Sequence, residues 1–111
     1  MRKLISNVEQ WAADRNLVKG STPLKQVNKT SEELNELVAA LGAIEWATQP
    51  DGHVPPFLMN NAADAIGDVT VTLIIIAKQL GLDFETCLDM AYEEIKDRKG
   101  KMVNGVFVKD A

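Results

Sequence analysis

Along the first segment, Leu4, Val8, Trp11 and Ala12 recur at helical spacing with Asn7, Glu9 and Asp14 between them. This predicts an amphipathic helix from about Lys3 to Asn16. Lys19-Gly20-Ser21 breaks the pattern, and Thr22 followed by Pro23 opens a second helix, with the hydroxyl as cap and proline where it loses no hydrogen bond. That helix runs to about Trp46, with Leu34 at the middle of an apolar stripe shared with Val27, Val38 and Leu41. Thr48 to Pro56 carries Pro50-Asp51-Gly52 and Pro55-Pro56 and reads as a loop. From Phe57 to Leu80, Val69 to Ile76 is rich in β-branched residues and suits a buried strand, but the apolar run continues from the Ala-rich Asn60 to Ile66. The segment is too long for a strand of about 5 or 6 residues, so a helix is expected, apolar on nearly all sides and central in a bundle. Gly81 ends it. Asp83 caps a fourth helix with a stripe of Phe84, Cys87, Leu88, Ala91 and Ile95, closed by Arg98-Lys99-Gly100. Asn104-Gly105 between Met102-Val103 and Val106-Phe107-Val108 signals a hairpin turn. The expectation is one all-α domain over residues 1–111, a four-helix bundle with a short extended or hairpin tail.

Composition narrows the function classes. The chain has 111 residues, 46% of them hydrophobic, enough for a core without disulfides or zinc. A net charge of -4 and a pI near 4.9 oppose a protein built to neutralise nucleic-acid phosphates, so no nucleic-acid partner is expected. Any anionic ligand must be met by a metal or by a few Lys and Arg. Cys87 is the single cysteine, which excludes an intrachain disulfide and fits a reducing compartment. The N-terminus reaches Asn7 and Glu9 too soon for a signal peptide, and the longest apolar stretch, Leu73 to Ala77, is far short of the roughly 20 residues that cross a bilayer. A cytoplasmic protein without a membrane partner is expected.

The acidic residues carry the candidate chemistry. Glu33 and Glu36 lie three apart on the second helix and can reach one cation; helical steps of about 100° put both along one border of the Leu34 stripe and Glu32 on the wetter side. Asp64 and Asp68 are one turn apart on the third helix and share a face with Val71 and Ile75, on a segment expected to be buried. Lys and Arg are absent from Thr30 through Ala77, so neither helix is expected to hold a salt-bridge partner. Two acid pairs at a helix seam without counter-charge call for a hard divalent cation with oxygen ligands.

On these residues the chain resembles the MazG-like, all-α nucleotide pyrophosphohydrolases. Their E-x-x-E pair matches Glu33-Leu-Asn-Glu36, and their acidic pair ending in Gly-Asp matches Asp64-Ala-Ile-Gly67-Asp68, with the preceding lysine present as Lys29. The ending from Ile95 through Arg98 and Lys101 to Lys109 is similar to that of short, single-domain members, including phage-encoded ones. One departure stands out: the commonest family form is E-x-x-D, and Ala65 occupies the position three before Asp68. Asp64, shorter and rotated by about 100°, must then serve, directly or through water.

The resemblance implies a bundle of the all-α nucleoside triphosphate pyrophosphohydrolase type. It also implies Mg²⁺ (or Mn²⁺) on Glu33, Glu36, Asp64 and Asp68, and cleavage of a nucleoside triphosphate to monophosphate and pyrophosphate. Glu33 or Glu36 would accept the proton of the attacking water, while Lys29, Arg98 and Lys101 would bind phosphate. It further implies a homodimer or homotetramer. The alternative is a non-catalytic helical module that binds nucleotide or partner through the same acids. A di-iron bundle fits poorly because its Glu-x-x-His pairs are missing. His53 in a Pro/Gly loop and Cys87 on a core stripe give a Cys/His nucleophile little support. Trp11 and Trp46 read as core or interface aromatics rather than base contacts.

Overall fold

The computed structural model describes residues 2–111. Four helices appear, α1 (Arg2–Asp14), α2 (Pro23–Ala47), α3 (Pro56–Gln79) and α4 (Phe84–Ile95), followed by strands β1 (Gly100–Val103) and β2 (Val106–Lys109). The all-α expectation with a hairpin tail therefore holds at the level of architecture.

Local chemistry sets the boundaries. Thr22 caps α2 by accepting the amide hydrogen of Lys25 at 3.1 Å, and Asp83 caps α4 through the amide of Thr86 at 3.0 Å. The Asp83 carboxyl is held below its ordinary range chiefly by its hydrogen bonds with Thr86. Thr22→Ala is expected to cost about 1 kcal/mol of stability, read from the urea midpoint at unchanged m-value. Helix α1 ends two residues before the expected Asn16, because Asn16 itself takes a left-handed conformation (φ 59°) and Leu17 N–H reaches back to the Ala12 carbonyl at 2.9 Å. Gly81 (φ 73°) closes α3 in the same way, with Leu82 N–H donating to Ala77 at 2.8 Å. The expected closure of α4 by Arg98-Lys99-Gly100 is incorrect: the helix stops at Ile95, no basic residue lies in its last turn, and Gly100 begins β1. Asn104 and Gly105, both at positive φ, make the tight turn that pairs Met102 with Phe107.

Helix α3 is central as expected and packs against α1, α2 and α4. Its buried side is built from Ala62, Ala65, Thr72, Ile74, Ile75 and Ala77. The apolar stripe of α2 is not the face that meets α3. Val27, Leu34, Val38 and Leu41 are all exposed, Leu34 by 49%. The face turned to α3 is instead the row Gln26, Thr30, Glu33, Leu37, Ala40 and Ile44, anchored by a 2.8 Å hydroxyl bridge from Thr30 to Thr72. The helix has two apolar faces, and the chain covers the less greasy one.

The surface left over is large. The chain exposes 8429 Å² against about 6,100 Å² for a compact monomer of 12.2 kDa, and its radius of gyration is 17.0 Å against about 13 Å. Helix α3 also departs from the expectation that no segment suits a bilayer: at 24 residues it is long and apolar enough by length and composition to cross one. The helix carries its apolar residues on both sides of Asp64 and Asp68, well beyond the run Leu73 to Ala77.

Candidate metal centre

Glu33 and Glu36 on α2 and Asp68 on α3 each place a carboxylate oxygen within 4.8 Å of the others. The arrangement follows from helix geometry. The two glutamates are neighbours at i and i+3, and the packing of α2 on α3 brings Asp68 opposite them. Only the Glu33 side chain is largely enclosed, at 13% exposure, and its Oε2 is buried without a hydrogen-bond partner. Asp64 and Asp68, expected on a buried segment, are both exposed, because the seam between the helices opens into a groove.

Charge in the cluster is poorly balanced. The Glu36 carboxyl is pushed above its ordinary range, first by sharing a hydrogen bond with Glu33 and by that residue's negative charge, then by burial and by Asp68, with Lys29 opposing. The expected lack of any cationic partner in these helices is wrong in one respect. Lys29 lies inside α2, where its ammonium meets Glu32 at 3.2 Å and Glu33 at 3.4 Å, and these contacts raise its pKa. One exposed lysine shared between two glutamates leaves Glu36 and Asp68 without a cation among the described residues. An orphaned buried oxygen, a carboxyl resisting ionisation and three converging acids are a donor set that suits a hard divalent cation.

Asp64 stands apart from the three. It lines a groove of about 430 Å³ with Glu36, Asn61 and Asp68, over a floor of Ala40, Ala43 and Ala65, but its oxygens are not in the close cluster. Ala65, at 6% exposure, lies on that floor. Arg98 follows α4 in a turn and Lys101 sits on β1 opposite Val108; neither lines the clefts around the triad, and neither forms an ion pair among the described residues. Of the seven expected site residues, the fold brings Lys29, Glu33, Glu36 and Asp68 together, puts Asp64 beside them and leaves Arg98 and Lys101 outside.

A second cleft, of about 440 Å³, opens on the other side of Asp68 and Glu33 and is walled by Trp11, Gln26 and Val71. Gln26 and Trp11 were not among the expected site residues. The signal for Gln26 was its place seven residues before Glu33, two helical turns along the same face.

Similarity to known proteins adds a phage connection. Over 83 residues the chain is 41% identical to an uncharacterized 18.2 kDa protein encoded in the rep-hol intergenic region of Haemophilus phage HP1 (strain HP1c1). That stretch is 75% of this chain and 43% of the phage protein, so the chain spans less than half of that relative's length. No family model matches the chain. No solved structure matches it either.

Proposed function

We propose that this chain is a Mg²⁺-dependent nucleoside triphosphate pyrophosphohydrolase of the MazG-like, all-α type, acting in the cytoplasm on the nucleotide pool. The observation that carries the reading is the convergence of Glu33, Glu36 and Asp68 around the orphaned Glu33 oxygen, in the order and spacing of that family's motifs. Glu33, Glu36 and Asp68 would hold Mg²⁺ or Mn²⁺, and Asp64 would add a further oxygen beside them. When bound, the ion neutralises and orients the phosphates and makes a water more acidic. Glu33 or Glu36 would accept the proton of the attacking water; attack at the α-phosphorus would break its bond to the bridging oxygen and release pyrophosphate. Lys29 turns from Glu32 to a phosphate oxygen, since an exposed pair of this kind is weak enough to exchange partners.

Arg98 and Lys101 fit this scheme as groups supplied by a neighbouring copy to the outer phosphates, in a dimer or tetramer. The excess exposed surface of about 2,300 Å² per chain supports such an assembly. Kinship to a phage protein is compatible with service to a viral nucleotide pool. A second reading, a nucleotide-sensing module without turnover, draws on the position of Asp64 outside the cluster.

The test is product analysis with ribo- and deoxyribonucleoside triphosphates, with and without Mg²⁺. Metal-dependent release of pyrophosphate with the monophosphate is the expected result. Release of inorganic phosphate and diphosphate would move the attack to the γ position. A folded, Mg²⁺-binding protein without turnover would favour the sensing module.

A further inference from the structure

The cleft beyond Glu33 has an unusual floor. Gln26 is only 7% exposed, yet its side-chain amide forms no hydrogen bond with any described residue. Nor is the amide sealed in protein: it lines the cleft, and its atoms are not among the fully enclosed unpartnered ones. The nearby hydroxyls are bonded elsewhere. The Thr30 hydroxyl donates to Thr72 at 2.8 Å, and the Thr72 hydroxyl lies 2.6 Å from the Val69 carbonyl, to which it donates. An amide placed in this way keeps its donor and its acceptor free for a ligand in the cleft. Its oxygen and NH₂ lie side by side, so the complement is a planar group with an adjacent donor and acceptor on one edge.

The walls fit the same ligand. Leu17, Val71 and Ile75 are apolar, and Trp11 adds an indole whose ring is held by the Arg15 guanidinium, 4.5 Å from its centroid. A flat heterocycle suits such walls through stacking and apolar contact. The mouth is formed by Lys29, Glu33 and Asp68, so the cleft runs into the carboxylate cluster. Along α2, Gln26 and Glu33 are about 10 Å apart, room for a sugar between a base and its first phosphate.

We infer that this cleft is a nucleobase-recognition pocket in which Gln26 reads the hydrogen-bonding edge of the base and Trp11 and Val71 bound its face. The inference rests on the triphosphate reading of the carboxylates and adds the part of the site that selects among substrates.

Two measurements separate the pocket from the reaction. The first titrates free adenosine, guanosine, cytidine, uridine and thymidine, in EDTA, into a Trp46→Phe protein, so that fluorescence reports Trp11 alone. Saturable quenching by a subset of nucleosides is expected. Gln26→Met, close in size and without the amide, should raise the Kd of the preferred nucleoside by about 10- to 100-fold and flatten the ranking. Val71→Phe, which fills the cleft and leaves Gln26 in place, should weaken all of them. Circular dichroism confirms that each variant is folded. The second measurement ranks kcat/KM for the five triphosphates with Mg²⁺. Absence of nucleoside quenching, or a ranking that Gln26→Met leaves unchanged, overturns the pocket even if pyrophosphate is released. Gln26-dependent nucleoside binding without triphosphate turnover supports the pocket and overturns the hydrolase.

Discussion

Glu33→Gln is expected to lower Mg²⁺-dependent pyrophosphate release by about 10²- to 10⁴-fold while making the metal-free protein more resistant to heat. Both effects follow from one side chain. Glu33 is the most enclosed acid of the cluster, and its orphaned oxygen is the one the fold has no other use for. Glu33 is also the main reason that Glu36 resists ionisation, first through the hydrogen bond the two share and then through its negative charge. A carboxyl whose folded pKa is raised gives stability that is full below its unfolded pKa and is lost as pH rises through the folded value. Metal-free wild type should therefore lose thermal stability as pH climbs through the upper carboxylate range, and Glu33→Gln should flatten that slope. Asp83, whose pKa is lowered, acts with the opposite sign, losing its contribution as pH falls, and is unaffected by the substitution. With Mg²⁺ at about 100 times its Kd, wild type should gain about 2.7 kcal/mol by mass action, and the variant far less. Pyrophosphate assays and melting curves in EDTA and in Mg²⁺ read all of this. A variant with wild-type turnover would remove Glu33 from the metal centre.

The second large effect concerns assembly. Light scattering is expected to give a mass at least twice the 12.2 kDa of one chain. Leu34→Glu and Leu41→Glu together should move the protein toward monomer and lower its melting temperature. Leu34, Val38 and Leu41 line the outer face of α2, while Met102 and Phe107 on the hairpin are also bare. A two-stranded ribbon is marginal in water by itself, and among the described residues this one has no extensive packing against the helices. The excess area of about 2,300 Å² per chain is well above the roughly 800 Å² that each partner contributes to a standard interface. Fully burying a leucine is worth about 1.5 to 3 kcal/mol, so loss of each one should weaken association by about 10- to 100-fold. A monodisperse wild-type monomer would refute the self-association and leave Arg98 and Lys101 without a role in trans.

What could be read from the sequence, and what could not, divides along the range of the interactions. Helix starts at Thr22 and Asp83, the stop at Gly81 and the turn at Asn104-Gly105 depend on a few adjacent residues, and each was legible in the chain. The Glu33–Glu36 pair was legible for the same reason, since i, i+3 spacing is local. The α2 packing face was not. Hydrophobicity marks the Leu34 stripe as the apolar side, but α2 carries two faces, and which one meets α3 depends on whether the unit that buries apolar surface is one chain or several. The exposure of Asp64 and Asp68 and the role of Gln26 were hidden similarly, because each depends on a groove that exists only once α2 and α3 are packed.

The two aspartates on α3 also bear on where the protein can reside. Asp64 and Asp68 lie near the middle of the one helix whose length and composition would suit a bilayer. An aspartate at the centre of a spanning helix costs about 2.5 to 3.5 kcal/mol on insertion, and here there are two. The carboxylates that face the groove thus also raise the cost of placing this segment in lipid. Apolar residues at both positions would strip the groove of acid and remove that cost in one step, so the acidity of the groove and the helix's resistance to lipid rest on the same two side chains.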